Sequence, residues 1–101
     1  MNANTDVWKF PKSIEFWSVP EYLKKFEASS LSAAFTFDLG DTETVHSSFI
    51  GFMIYVKQSV ESAGGRLILE ISPAVQKLLL MLKILDHFES SPTAKDARKI
   101  A

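Results

Sequence analysis

The 101-residue sequence contains no cysteine. Disulfides, thiol catalysis and cysteine-ligated zinc are therefore excluded. It also has no excess of charge. Eleven basic residues stand against 12 acidic ones, for a net charge of −1. Nothing global draws such a chain to nucleic acid or to an anionic membrane. Long hydrophobic runs are missing as well. No uninterrupted apolar run exceeds the five residues of Leu78 to Leu82, whereas a membrane-spanning helix needs about 20. Met1 to Lys9 carries Asp6 and lacks an apolar core segment, so no signal peptide is expected and the expected address is the cytoplasm. Catalytic vocabulary is sparse too. There are two histidines, His46 and His87, and neither a His-Glu-x-x-His pattern nor a Gly-x-Ser-x-Gly elbow.

What is present is an ordinary apolar share, 47%. Together with the length, that predicts one globular domain spanning residues 1–101. Asp6 to Pro11 reads as a strand through Val7, Trp8 and Phe10, stopped by the proline. Ile14 to Phe16 continues extended structure into a turn. Ser18 opens a helix. Its hydroxyl is placed to accept from an amide three residues on, Glu21 to reach back, and Pro20 to sit in the first turn. Val19, Tyr22, Leu23 and Phe26 form the apolar stripe. Ala34 to Leu39 is a second strand. Ser47 to Ala63 is a helix whose core stripe is Phe49, Phe52, Met53, Val56, Val60 and Ala63, at about 100° per residue. Gly64-Gly65 stops it. Arg66 to Ile71 is a third strand. Ser72-Pro73 caps a third helix, Ala74 to about Leu85. Phe88 to Ser90 is a short strand or turn, and Thr93 to Ala101 a closing helix. Alternation of strand and helix implies an α/β layer with right-handed parallel crossovers.

Three features invite a chemical reading. Asp38, Asp41 and Glu43 cluster where strands end in α/β sheets. They could hold a hard cation, but read better as a solvated loop, so no metal site is expected. Gly64-Gly65 follows a helix, whereas a phosphate-cradling loop precedes one. Val45-His46-Ser47-Ser48 stands at the mouth of the second helix. A hydroxyl there can cap the helix, or it can accept a phosphate of about −1.5 to −2 charges that the helix dipole would stabilise.

Three blocks of sequence resemble the STAS domain, the fold of bacterial anti-sigma factor antagonists. Asp38-Leu39 through His46-Ser47-Ser48 and Ile50-Gly51 looks like the family's strand end and Asp-Ser-Ser-Gly-Leu-Gly helix start. Gly64-Gly65 followed by Arg66-Leu67-Ile68-Leu69 is the second block. Ser72-Pro73-Ala74-Val75 with Lys77-Leu78-Leu79 is the third. The likeness covers roughly Val7 to Ala101. It implies a small, mixed, mostly parallel sheet of about four strands with helices packed on it. It implies a cytoplasmic regulatory protein without cofactor or catalytic residues, which binds an anti-sigma factor that is also a serine kinase. The phosphoacceptor would be Ser47, with Ser48 its neighbour. His46 and Phe49 stand in the switch loop where the family has Asp and Gly. A kinase that needs the carboxylate would not accept His46. A STAS-like accessory subunit, docking on the ATPase of an ABC-type lipid transporter without phosphorylation, is the alternative. A hydrolase or nucleotide-binding enzyme would need a pocket built on Asp41, Glu43 and His46.

Apolar residues off the core stripes suggest a partner surface. Ile50 and Ile54 lie beside Lys57 on the second helix. On the third, Val75, Leu78, Leu79, Leu82 and Leu85 face the core, and Leu80, Met81 and Ile84 face away. The family usually ends this helix with a glycine where Lys83 stands, so the helix is expected to run on through Leu85. Leu80, Met81 and Ile84 then form a partner or homodimer interface. Alternatively the last turn unwinds and Ile84 joins the core.

Overall fold

A computed structural model of the chain describes residues 5–29 and 34–92. The elements are β1 (Thr5–Lys9), β2 (Ser13–Ile14), α1 (Val19–Ala28), β3 (Ala34–Leu39), β4 (Thr44–Val45), α2 (Ser47–Ser62), β5 (Arg66–Ile71), α3 (Pro73–Met81) and β6 (Glu89–Pro92). Short 3-10 turns at Phe16–Ser18 and Leu85–His87 precede α1 and β6. The predicted closing helix from Thr93 lies outside the described residues.

The main sheet has the order β1-β3-β5-β6, and each of its pairings is parallel. A strand paired in parallel with its predecessor requires a crossover, and α1, α2 and α3 supply the three. Alternation then sorts the side chains. Trp8, Phe35, Phe37, Leu39, Leu67, Leu69 and Ile71 point into the core, while Val7 and Lys9, on the other face of β1, stay exposed. Phe26 of α1 packs on Phe35 at 5.6 Å, edge to face, and Phe52 of α2 stacks on Phe37 at 6.0 Å. The first two helices thus share the face that carries these phenylalanines. Val75 and Leu79 of α3 enter the same core.

β3, β5 and the start of α2 fall where their sequence patterns place them. β1 ends at Lys9, short of Pro11, Phe16 enters a 3-10 turn where its pattern predicts extended structure, and the last strand is Glu89–Pro92 and not Phe88 to Ser90. Three further differences concern the helix ends. α1 begins after Ser18, but the Ser18 side chain makes no capping bond. The 3-10 turn already holds Ser18 in a helical conformation, so its amide bonds to the Glu15 carbonyl at 3.1 Å. The predicted capping box therefore does not form. α2 ends at Ser62. Ala63 is its exposed C-cap, off the core stripe. α3 stops at Met81 instead of running through Leu85. Lys83 adopts the left-handed conformation, φ 60°, that a glycine would take at no steric cost. The chain turns there, and Ile84 and Leu85 fold back half-buried against the core.

Candidate functional site

The carboxyl ends of β1, β3 and β5 deliver three chain segments to one place. The two-residue ladder between β2 and β4 is parallel, pairing Ser13 with Thr44 and Ile14 with Val45. Its hydrogen bonds run from Glu43 N–H to the Lys12 carbonyl at 2.7 Å and from His46 N–H to the Ile14 carbonyl at 2.9 Å. Thr42, fully buried, donates to the Pro11 carbonyl at 2.8 Å. Its own carbonyl accepts from the Ser72 hydroxyl at 2.6 Å, and that hydroxyl caps α3 by accepting from Val75 N–H at 3.1 Å. Each buried polar group in this chain of contacts has a partner, which removes the desolvation penalty of burying it. The loops at this end are therefore fixed, and the N-terminus of α2 is held on a rigid base.

His46 is the N-cap of α2, with extended backbone at φ −70° and ψ 146°. Its Nδ1 accepts from Ser48 N–H at 3.1 Å and lies 2.8 Å from Ser48 Oγ. An Nδ1 that accepts from an amide carries no proton, so the neutral ring holds its proton on Nε2. The imidazole thus does what a Ser, Asp or Asn side chain usually does at this position. Ser47 is released from that task. It is exposed in the first turn of α2, and its hydroxyl makes no hydrogen bond among the described residues. Phe49, two residues further, lies in the helix and not in a loop, and it is fully buried. Its ring meets Phe10 at 5.1 Å, Phe52 at 5.6 Å and Tyr22 at 6.1 Å. It therefore anchors the helix start and takes no part in the surface. Burial, with the charge of Glu21 adding, pushes the Tyr22 phenol above its ordinary pKa.

The expected partner residues divide. Ile54, Lys57 and Ile84 come together around a shallow groove of about 240 Å³ between α2 and the turn after α3, completed by Gln58, His87 and Phe88. Ile50 is half-buried and packed against the core, so it offers a partner little. Leu80 and Met81 do not line this groove but are exposed at the end of α3, where Leu82 joins them. Helical periodicity places Leu82 on the core stripe, yet as the C-cap of α3 it is exposed.

Two residues with a place at the site escape the sequence patterns. Phe16 and Trp17 are 57% and 62% exposed and meet edge to face at 5.2 Å. The Phe16 ring lies 5.5 Å from the His46 ring. Large exposed aromatic pairs are unusual on a monomer and favoured at interfaces. Their only sequence signal is two adjacent bulky residues before α1, outside its 3.6-residue stripe. Beyond them, a mostly apolar groove of about 330 Å³ runs between α1 and α2, lined by Val19, Leu23, Tyr55, Ser48 and Gly51 among others. A Cβ added at Gly51 would meet no atom within 4 Å, so this wall of the groove is open.

The acidic residues near the same end do not converge. Asp38 accepts from Gly40 N–H at 3.0 Å, Asp41 pairs with Lys9 at 3.4 Å, and Glu43 with Lys12 at 3.8 Å. Among the described residues no group of three or more His, Asp or Glu side chains is placed to hold a metal ion, and no helix is long and apolar enough to cross a membrane. In sequence, neither a protein-family model nor a curated protein matches this chain.

Proposed function

We propose that this chain is a small regulatory protein-binding domain of the anti-sigma factor antagonist type, switched by phosphorylation of Ser47. The observation that carries the reading is the exposed, unengaged Ser47 hydroxyl on a helix start that His46 caps. A phosphate there would face the positive end of the α2 dipole, so the fold would tolerate it. It would also add about −1.5 to −2 charges beside the exposed Phe16 and Trp17. These aromatics, with Ile54 and Lys57 further along α2, are the contact surface in this reading. The partner is a histidine-kinase-like anti-sigma factor that phosphorylates serine, and the domain works in the cytoplasm without catalytic residues or a cofactor.

A second reading draws support from one observation. The imidazole of His46 occupies the cap and engages Ser48, so the position before Ser47 carries no carboxylate to guide a kinase. The same surface then serves constitutive docking on the ATPase of an ABC-type lipid transporter. Calorimetric titration separates the two. Tight binding to an anti-sigma kinase by the wild type and Ser47→Ala, lost in Ser47→Asp, supports the switch. Binding to a transporter ATPase that is indifferent to Ser47→Asp supports the second reading. Binding to neither class of partner removes both.

A further inference from the structure

We propose that the end of α3 is a two-fold contact between two copies of this chain. Three consecutive apolar residues are exposed there: Leu80 at 55%, Met81 at 69% and Leu82 at 48%. Contiguous exposed apolar patches of this kind often mark interaction sites. Beside this ridge lies a hollow of about 240 Å³ lined by Leu80, Lys83, Leu85 and Asp86. The patch therefore carries an apolar knob and a hole walled by two leucines, one cation and one anion. Among the described residues neither Lys83 nor Asp86 forms an ion pair.

That composition is self-complementary. In a two-fold contact each residue meets its counterpart's neighbour, so residue i touches j while j touches i. Met81 of each copy enters the hollow of the other, and Lys83 of each faces Asp86 of the other. A foreign partner would have to reproduce both charges and the knob, whereas a second copy supplies them. The backbone at Lys83 points the same way. Its left-handed conformation is one that a glycine holds without strain, and a strained lysine is accounted for when its side chain has a use. The contact is small, at or below about 1,200 Å² in total, so the dimer is weak, with a dissociation constant in the micromolar range.

Sedimentation velocity from about 1 μM to about 1 mM tests this. The wild type should pass reversibly from monomer to dimer. Lys83→Glu and Asp86→Lys each place like charges across the contact twice, and each should weaken association by about tenfold or more. Mixed together, these two single variants should form a heterodimer. The carboxylate introduced in one copy then faces the ammonium introduced in the other, and the remaining native Asp86 faces the remaining native Lys83. A purely structural role for either residue would not produce that rescue. Met81→Asp should be monomeric throughout, with unchanged circular dichroism as the check on folding. A wild type that stays monomeric up to the highest concentration overturns the proposal. So does a dimer that survives Met81→Asp, or a mixture of the two single variants that fails to pair.

Discussion

The start of α2 and the end of α3 are both helix boundaries built from residues that seldom serve as such. At the first, a histidine does the work of a capping hydroxyl or carboxylate. At the second, a lysine does the work of a glycine. The physical outcomes differ. The imidazole has an acceptor at the right distance and satisfies an orphan amide, so α2 starts without loss. Lysine has no means of relieving the crowding of its Cβ in the left-handed region, so α3 stops at a conformational cost. The residue beneath each boundary differs too. Phe49 nails the start of α2 into a cluster of aromatic rings. Past the end of α3 the chain is held by half-buried Ile84 and Leu85. One boundary is rigid and presents a hydroxyl. The other is strained and presents bare apolar surface.

Substitutions at and around the two boundaries probe this contrast. The largest effect is expected for Phe49→Ala, which opens a cavity under the first turn of α2 and should cost about 3–5 kcal/mol in urea unfolding. Ile84→Ala, half-buried at the other boundary, should cost clearly less. Next, His46→Ala removes the cap and should cost about 1 kcal/mol, whereas His46→Asp restores an acceptor, adds a charge favoured by the dipole, and should be at least as stable as the wild type. If both variants lose stability equally, the ring is not acting as a cap. Lys83→Gly should act in the opposite direction, stabilising the fold by about 1 kcal/mol and raising the melting temperature. The smallest effect concerns the segment after α3. Arg66 holds Glu89 through Nε at 3.0 Å and through its second guanidinium nitrogen, pinning β6 to β5. This hydrogen bond holds the Glu89 carboxyl below its ordinary pKa. A carboxylate with a lowered folded-state pKa contributes stability above its unfolded value and loses it as the pH falls through the folded one. The contribution should fade below about pH 4, and Glu89→Gln should flatten that acid limb slightly. Salt should mask the difference, since the pair is exposed.

The same two boundaries show what the sequence could and could not reveal. β3 and β5 are legible because alternation of large apolar residues with turn chemistry on either side leaves one register. The start of α2 is legible because the stripe from Phe49 to Val60 has a single phase. Its capping residue is not, because the two serines compete with His46 for the role and only the geometry at Nδ1 decides. The end of α3 is not legible either. Five apolar residues in a row have no phase, and nothing short of the backbone at Lys83 announces that a lysine will turn the chain. The β2–β4 ladder pairs two residues with two others 31 positions away, too short a pattern to read locally. Without it, Phe16 has no evident reason to lie beside His46. The α1 capping box fails for a related reason: the 3-10 turn before it has already committed Ser18.

Whether Ser47 is the switch is decided by peptide-level mass mapping of the chain after incubation with an anti-sigma serine kinase and ATP. A single phosphoryl group on Ser47 is expected, retained in Ser48→Ala and absent in Ser47→Ala, with the melting temperature unchanged or raised. Modification of Ser48 in place of Ser47, or no modification while the same kinase phosphorylates a substrate of its own, would contradict the switch.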